Sequence, residues 1–276
     1  MTALNNPLKQ YFRRPAVYLS LPSKGKFYQE NVIETTPTGE LPVFPMTAID
    51  EITMKTPDAL FNGVAMAELI KSCIPSIKDP WAINNIDFDA ILIAIRAAEG
   101  KNEMEIDSQC PNCSEVNSYG LNLLSMLSSI TSGDFDNPLQ INDLKVKFKP
   151  ITYKQMNEAS LIQLEVQKEF IQLESTEDQK EKNEKQKELI KKLTTTTMKL
   201  LTEAIEYIET PTTKVEEKEF IYDFLINCDK GTYLTVRDYN VELKGKSEIK
   251  PLQVKCPNCS HEYNQPFTLN VSDFFG

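Results

Sequence analysis

The motif Cys-Pro-Asn-Cys-Ser occurs twice in this chain, at 110–114 and 256–260, and the two copies hold four of its six cysteines. A CxxC pair offers two thiolates from one tight turn. Two such pairs supply the four sulfurs that a tetrahedral zinc ion takes. Pro and Asn between the cysteines suit a turn that points both sulfurs inward and aims backbone N–H groups at them. The other thiols, Cys73 and Cys228, fall inside apolar helical segments, where free cysteine acts mostly as a small hydrophobe. The one histidine, His261, stands two residues past Cys259, where the turn makes it a poor ligand.

The spacing therefore predicts a single Zn²⁺ held by Cys110, Cys113, Cys256 and Cys259. Four protein ligands leave no open position, so the ion is expected to be structural rather than catalytic. The 142 residues from 114 to 255 exceed the spacing of a conventional zinc ribbon. A duplicated fold that brings two knuckles together about a pseudo-twofold axis would remove that difficulty. The rival reading is a pair of redox disulfides, but neither CxxC has a thioredoxin-like strand-to-helix context.

With 276 residues, 41% of them hydrophobic, the chain can bury one large core or two small ones. Its net charge of −10 repels phosphate backbones, which makes nucleic acid a poor default partner. No run approaches the roughly 18–20 apolar residues of a membrane span, and the N-terminus lacks the apolar stretch of a signal peptide. The expected setting is the cytoplasm, where thiols stay reduced and paired CxxC units serve metals before disulfides. Gly-rich phosphate loops, HExxH, GxSxG and EF-hand loops are all missing from the sequence, so nothing in it calls for an enzyme.

The N-terminal segment is the exception to the acidic balance. Lys9, Arg13, Arg14, Lys24 and Lys26 are interleaved there with Tyr11, Phe12, Tyr18, Phe27 and Tyr28. Such a segment can dock on an acidic protein surface, stack on nucleic-acid bases, or simply fold as a hairpin. Docking makes Arg13, Arg14, Lys24, Lys26, Phe27 and Tyr28 the partner-binding candidates. Stacking gives the alternative function, a zinc-ribbon nucleic-acid-binding protein.

The elements that must position these groups follow from periodicity. Turn signals at 22–25 and 38–39 predict short strands and a hairpin after residue 15. Thr47, with Asp50 three residues on, predicts a capped helix, and Pro57 a break in it. The segment "IDFDAILIAIRAAEG" predicts a helix stopped at Gly100. A short helix then precedes the strand "DLKVKFKP". Residues of about 153–209 predict a long charged helix or helical hairpin, ended by Pro211. After it come a helix at "EEKEFIYDFLINCDKG" and strands at "TYLTVRDYNVEL".

The two halves also match in outline. "VFPMTAIDEITM" parallels "KFKPITYKQMNEA" as strand, Pro-x-Thr and helix, and "FDAILIAIRAAEGKNEMEI" parallels "KEFIYDFLINCDKGTYLTV". CPNCS follows in each, then Leu-Asn at 121–122 and 269–270. The expected fold is α+β, with internally duplicated strand–helix–CxxC units joined by a zinc-ribbon-like site of four cysteines and a helical insertion in the second half. The expected divisions are an arm (1–14), a first repeat (15–140) and a second repeat (141–276).

The order of these pieces resembles a known family. "VYLSLPSKGKFY", "MTAIDEITMKTPDALFNGVAMAELIKSCI" with its Asn-Gly step, "DFDAILIAIRAAEG" and "CPNC" are similar to the T4-type bacteriophage baseplate hub and hub-assembly proteins. The likeness is clearest over about 15–120 and weaker to Gly276. It implies a non-enzymatic part or assembly factor of a contractile-tail baseplate. The partners it implies are hub or wedge proteins in the infected cell's cytoplasm.

Overall fold

The computed structural model describes residues 6–56, 63–100, 102–174, 178–267, 269 and 274. Strands β1 (Val17–Leu19) and β2 (Leu41–Val43) pair antiparallel, with Leu19 opposite Leu41 and all three of Leu19, Leu41 and Val43 buried. Helix α1 (Ala48–Met54) begins at the expected capping box: Asp50 accepts from the Thr47 amide at 2.7 Å, and Thr47 Oγ1 accepts from the Asp50 amide at 3.2 Å. Helices α2 (Val64–Cys73) and α3 (Asn85–Ala98) follow. The latter is apolar around most of its circumference, which makes it a central helix rather than a surface one. Eleven of its fourteen residues are buried, and the chain leaves it through Gly100 at φ +79°.

Strands β3 (Glu103–Gln109) and β4 (Val116–Asn122) form a hairpin that leads into α4 (Leu123–Ser129), which Asn122 caps. Strands β5 (Leu139–Ile141) and β6 (Leu144–Phe148) then open a four-stranded antiparallel sheet, completed by β7 (Ile205–Glu209) and β8 (Lys214–Val215). Between β6 and β7 runs an antiparallel helical hairpin of α5 (Tyr153–Glu174) and α6 (Gln179–Ala204), laced by Lys185–Glu169 and Lys192–Glu165 ion pairs. Helices α7 (Lys218–Asn227) and α8 (Lys230–Ser247) lead to the last hairpin, β9 (Leu252–Lys255) and β10 (Glu262–Gln265).

Two hydrophobic cores result. One gathers β1, β2 and α1–α4 around α3, and the other gathers β6, β7, α6, α7 and α8. They interlock at Tyr153, whose ring stacks on Trp81 and Phe88 at 5.2 and 4.7 Å. Backbone bonds reinforce the joint, from Tyr153 N to Ile83 O and from Asn85 N to Ile151 O. The Tyr153 hydroxyl donates to Gly63 O at 3.1 Å.

Several sequence expectations need correction. "TYLTVRDYNVEL" is helical, within α8, despite its β-branched and aromatic residues. Asp229 caps it by accepting from the Gly231 and Thr232 amides, and Val236 and Leu243 are buried two turns apart on one face. Tertiary burial overrides strand propensity here. Consequently the helix that precedes the second knuckle is α8, not the segment matched to α3, and the repeat loses its register at that point. The turn at 22–25 does not close a hairpin, because β1 pairs with a strand that begins at Leu41. The insertion is a hairpin whose helix ends at Ala204, since Ile205–Glu209 joins the sheet. Pro57 and Asn270 lie outside the described residues.

The paralleled strand–Pro-x-Thr–helix units do agree. Thr152 and Gln155 repeat the reciprocal bonds of Thr47 and Asp50 at the start of α5.

Two measurements test this packing. A Cβ at Gly63, where φ is +78°, would lie 2.4 Å from Asn157 Oδ1 and 2.7 Å from Tyr153 Oη. Gly63→Ala should therefore cost roughly 2–4 kcal/mol by denaturant titration. At Gly39, with φ +79° and open space around it, alanine should cost about 1 kcal/mol. Burial, aided by Glu248 and opposed by Lys244 of α8, pushes the Asp89 carboxyl up to about 6. A carboxyl raised in this way stabilises the fold below about pH 4 and loses that contribution as pH climbs through 6. Asp89→Asn should thus be more stable than the parent by roughly 2 kcal/mol at pH 7, with the gap closing at pH 4.

Candidate metal centre

The two CPNC motifs form the tips of the β3–β4 and β9–β10 hairpins, and their turns have the same bonds. In the first, Cys110 N donates to Glu115 O and Ser114 N to Cys110 O, both at 2.9 Å. In the second, Cys256 N donates to His261 O and Ser260 N to Cys256 O, again at 2.9 Å. Ser114 and Ser260 both take left-handed backbone, at φ 62° and 58°. The local chain thus turns back within four residues and leaves both sulfurs on its inner side.

The hairpins face each other. Ser108 on β3 bonds the Tyr263 hydroxyl at 3.0 Å and also reaches Gln265, while the Tyr119 hydroxyl on β4 meets Lys255 O and Tyr263 Oη. That docking brings the sulfurs of Cys110, Cys113, Cys256 and Cys259 within 4.8 Å of one another. Across the gap, Cys110 Sγ lies 3.6 Å from Cys259 Sγ and Cys113 Sγ lies 3.7 Å from Cys256 Sγ. A tetrahedron with Zn–S bonds near 2.3 Å has edges of about 3.8 Å, so the spacing fits one ion.

Electrostatics agree with that fit. The Asn112 side chain and the His261 amide hold the Cys259 thiol down to about 6. The Cys259 and Asn258 amides lower Cys256 in the same manner. At Cys113 the Glu115 amide pulls down, but burial and the three neighbouring sulfurs outweigh it and push the thiol up to about 12. Thiolates this close repel one another unless a cation stands among them. Amide N–H groups aimed at sulfur, with the Asn117 amide 3.6 Å from Cys256 Sγ, form the outer layer that orients such ligands. His261 stacks on Tyr263 and stands outside the cluster. Cys73 is wholly buried beside Arg13, and Cys228 lies at the end of α7.

A family model described as T4 bacteriophage base plate protein matches residues 45–276, which takes in both knuckles, α3 and the helical hairpin. The chain belongs to that family. No curated protein and no solved structure gives a match. The base plate match begins at Pro45, so the Leu-Pro-Ser-x-Gly-x-Phe-Tyr segment on which the resemblance partly rested falls outside it. Among the described residues, no helix is long and apolar enough to cross a membrane.

The partner-binding candidates divide into three kinds. Arg13 is turned inward: it donates to Pro45 O, Ser72 O and Ser72 Oγ, and lies 3.5 Å from the Asp50 carboxylate. Tyr28 is likewise internal. Its hydroxyl donates to Asp87 at 2.6 Å and accepts from the Asn84 amide, while Ser23 N donates to the other oxygen of the buried Asp87. These two residues hold the arm and the 21–28 loop in place. Lys26 pairs with Asp136 at 2.6 Å and Phe27 packs edge-on against Phe135. Arg14 and Lys24 are exposed and form no ion pair among the described residues.

Sequence reasoning missed the Ser108–Tyr263 contact and the Asp50 hub. Neither has a local signal, because the partners are far apart in the chain. The capping pattern Thr47-x-x-Asp50 was the one available clue to the second.

Proposed function

We propose that this protein is a hub subunit or hub assembly factor of a contractile-tail baseplate, acting by protein–protein contact and stabilised by one structural Zn²⁺ on Cys110, Cys113, Cys256 and Cys259. The family match over most of the chain carries the baseplate reading. The four-sulfur cluster carries the metal. When bound, the ion would supply a cross-link rather than chemistry, clamping the middle of the chain to its C-terminal region. Such sites contribute on the order of 10 kcal/mol of apparent folding free energy. The paired knuckles and paired capping boxes support descent from a duplicated unit, one half on each side of the ion.

Two surfaces suit contact with hub or wedge proteins. One is the N-terminal arm. The other is the helical insertion, where a groove of about 840 Å³ between α5, α6 and α7 is lined by Ile162, Leu200 and Phe220. The nucleic-acid reading draws less support, because Arg13 and Tyr28 are committed inside the fold.

Elemental analysis of the purified protein should give one zinc per chain. Cys113→Ser and Cys259→Ser should each lose it and unfold to a similar degree, whereas Cys73→Ser should keep it. Two knuckle variants that each retained full metal would rule out a shared ion. For the assembly role, co-expression with the hub and wedge proteins of the same phage should yield a complex that survives gel filtration. A chain that elutes alone in every pairing would refute that role and leave the metal result standing.

A further inference from the structure

We propose that the N-terminal arm of one copy docks on the outer face of the β3–β4 hairpin of a second copy, joining molecules head to tail. The proposal deepens the assembly reading above but rests on separate observations.

The arm is held in place, yet none of its described residues is buried. Its 3₁₀ turn, Pro7–Tyr11, is capped by Asn6, which accepts from Leu8 N at 3.0 Å, and none of its residues is buried. Leu8, Tyr11 and Phe12 are 61%, 78% and 58% exposed. The bonds of Arg13 to Pro45, Ser72 and Asp50 fix the arm's base against the rest of the fold. An anchored segment that presents three large apolar side chains to water marks a contact surface.

Charge narrows the choice of occupant. Residues 1–29 contain five Lys or Arg and no Asp or Glu, which leaves 25 basic against 40 acidic residues in the remainder. Arg13 and Lys26 are paired internally, while Lys9, Arg14 and Lys24 are exposed without an ion pair among the described residues. The arm therefore fits a surface that is acidic and partly apolar.

This chain carries one. Along β3, Glu103, Glu105 and Asp107 alternate onto the exposed face of the hairpin, spaced about 7 Å apart. Their cross-strand neighbours are Asn122, Gly120 and Ser118, so no cation sits opposite them, and none of the three carboxylates forms an ion pair among the described residues. Gly120 has open space above its Cα, leaving bare backbone in the middle of the acidic row. An aromatic ring covers such a glycine well. Val116, exposed at the knuckle end of the same face, extends the apolar part.

Placing arm against arm, or stripe against stripe, would oppose like charges. Of these three pairings, arm to stripe is the complementary one. That contact is heterologous, so it grows into a ring or a chain rather than stopping at a twofold dimer.

Sedimentation velocity of the full chain tests this. We expect concentration-dependent association whose dissociation constant rises about tenfold or more between roughly 50 and 500 mM NaCl. Lys9→Glu/Arg14→Glu should be monomeric, and so should Glu103→Lys/Glu105→Lys. An equimolar mixture of the two variants should associate again, because each supplies what the other lacks. All four positions are exposed, so folding should be unaffected, and circular dichroism checks this. A parent chain that stays monomeric at about 100 μM in low salt, or association indifferent to these substitutions, would overturn the proposal. Loss of binding to a tail protein on Lys9→Glu/Arg14→Glu, with a monomeric parent, would assign the arm to a foreign partner and likewise overturn it. Failure of every tail protein to bind, with self-association intact, would count against the hub reading alone.

Discussion

The closeness of four sulfurs is the constraint on which the rest of the molecule turns. Cys110 and Cys259 are 149 residues apart in the chain, and Cys113 and Cys256 are 143 apart, yet each pair is in sulfur–sulfur contact. Four thiols at this spacing cannot all ionise by themselves, and the bonds around them favour ionisation at Cys256 and Cys259 while opposing it at Cys113. A dication would resolve that conflict in one step, which is what favours the metal proposed above. The two small hairpins also dock face to face. Two-stranded sheets are marginal alone in water. Here the shared surface includes a few polar contacts around Ser108, Tyr119 and Tyr263.

The second joint, at Tyr153, works by different physics. Its ring is sandwiched between Trp81 and Phe88, its amide bonds Ile83 O and its hydroxyl bonds Gly63 O. One residue at the start of α5 thereby registers the helical insertion against the first core. Gly63 permits this by having no side chain where Asn157 and Tyr153 approach. Gly133 does the same for α8, since a Cβ there would lie 2.4 Å from Leu243 O. Distant parts of the chain are therefore brought together at two points, by the docked knuckle hairpins and by an aromatic stack at the insertion.

How much of this could be read beforehand depended on the range of the interaction. The knuckles, the Thr47 capping box and the helix α3 were legible, because each is written within a few consecutive residues. Helix α8 was misread because Thr, Tyr and Val favour strands locally, whereas the burial of Val236 and Leu243 is decided by elements far away. The signal against strands was present in Asp229, a helix cap followed by apolar residues seven apart. The internal bonds of Arg13 and Tyr28 were not legible at all. Basic and aromatic residues near a terminus resemble a binding arm, and nothing local reveals that a carboxylate 37 or 59 residues away awaits each of them.

The placement of Arg13 and Tyr28 sharpens the functional argument. Removing Arg13 and Tyr28 from the exposed set separates residues that hold the arm from residues that present it. The buried Asp50 accepts from Thr47, from Ser72 and from the Arg13 side, so a single carboxylate caps α1 and also anchors the arm. A segment whose only purpose was to fold would use that anchor to bury its aromatics. Instead Tyr11 and Phe12 remain in water beside Lys9 and Arg14. A carboxylate that caps a helix and also anchors an arm with exposed apolar and cationic side chains leaves those side chains open to contact, which supports the docking proposed above.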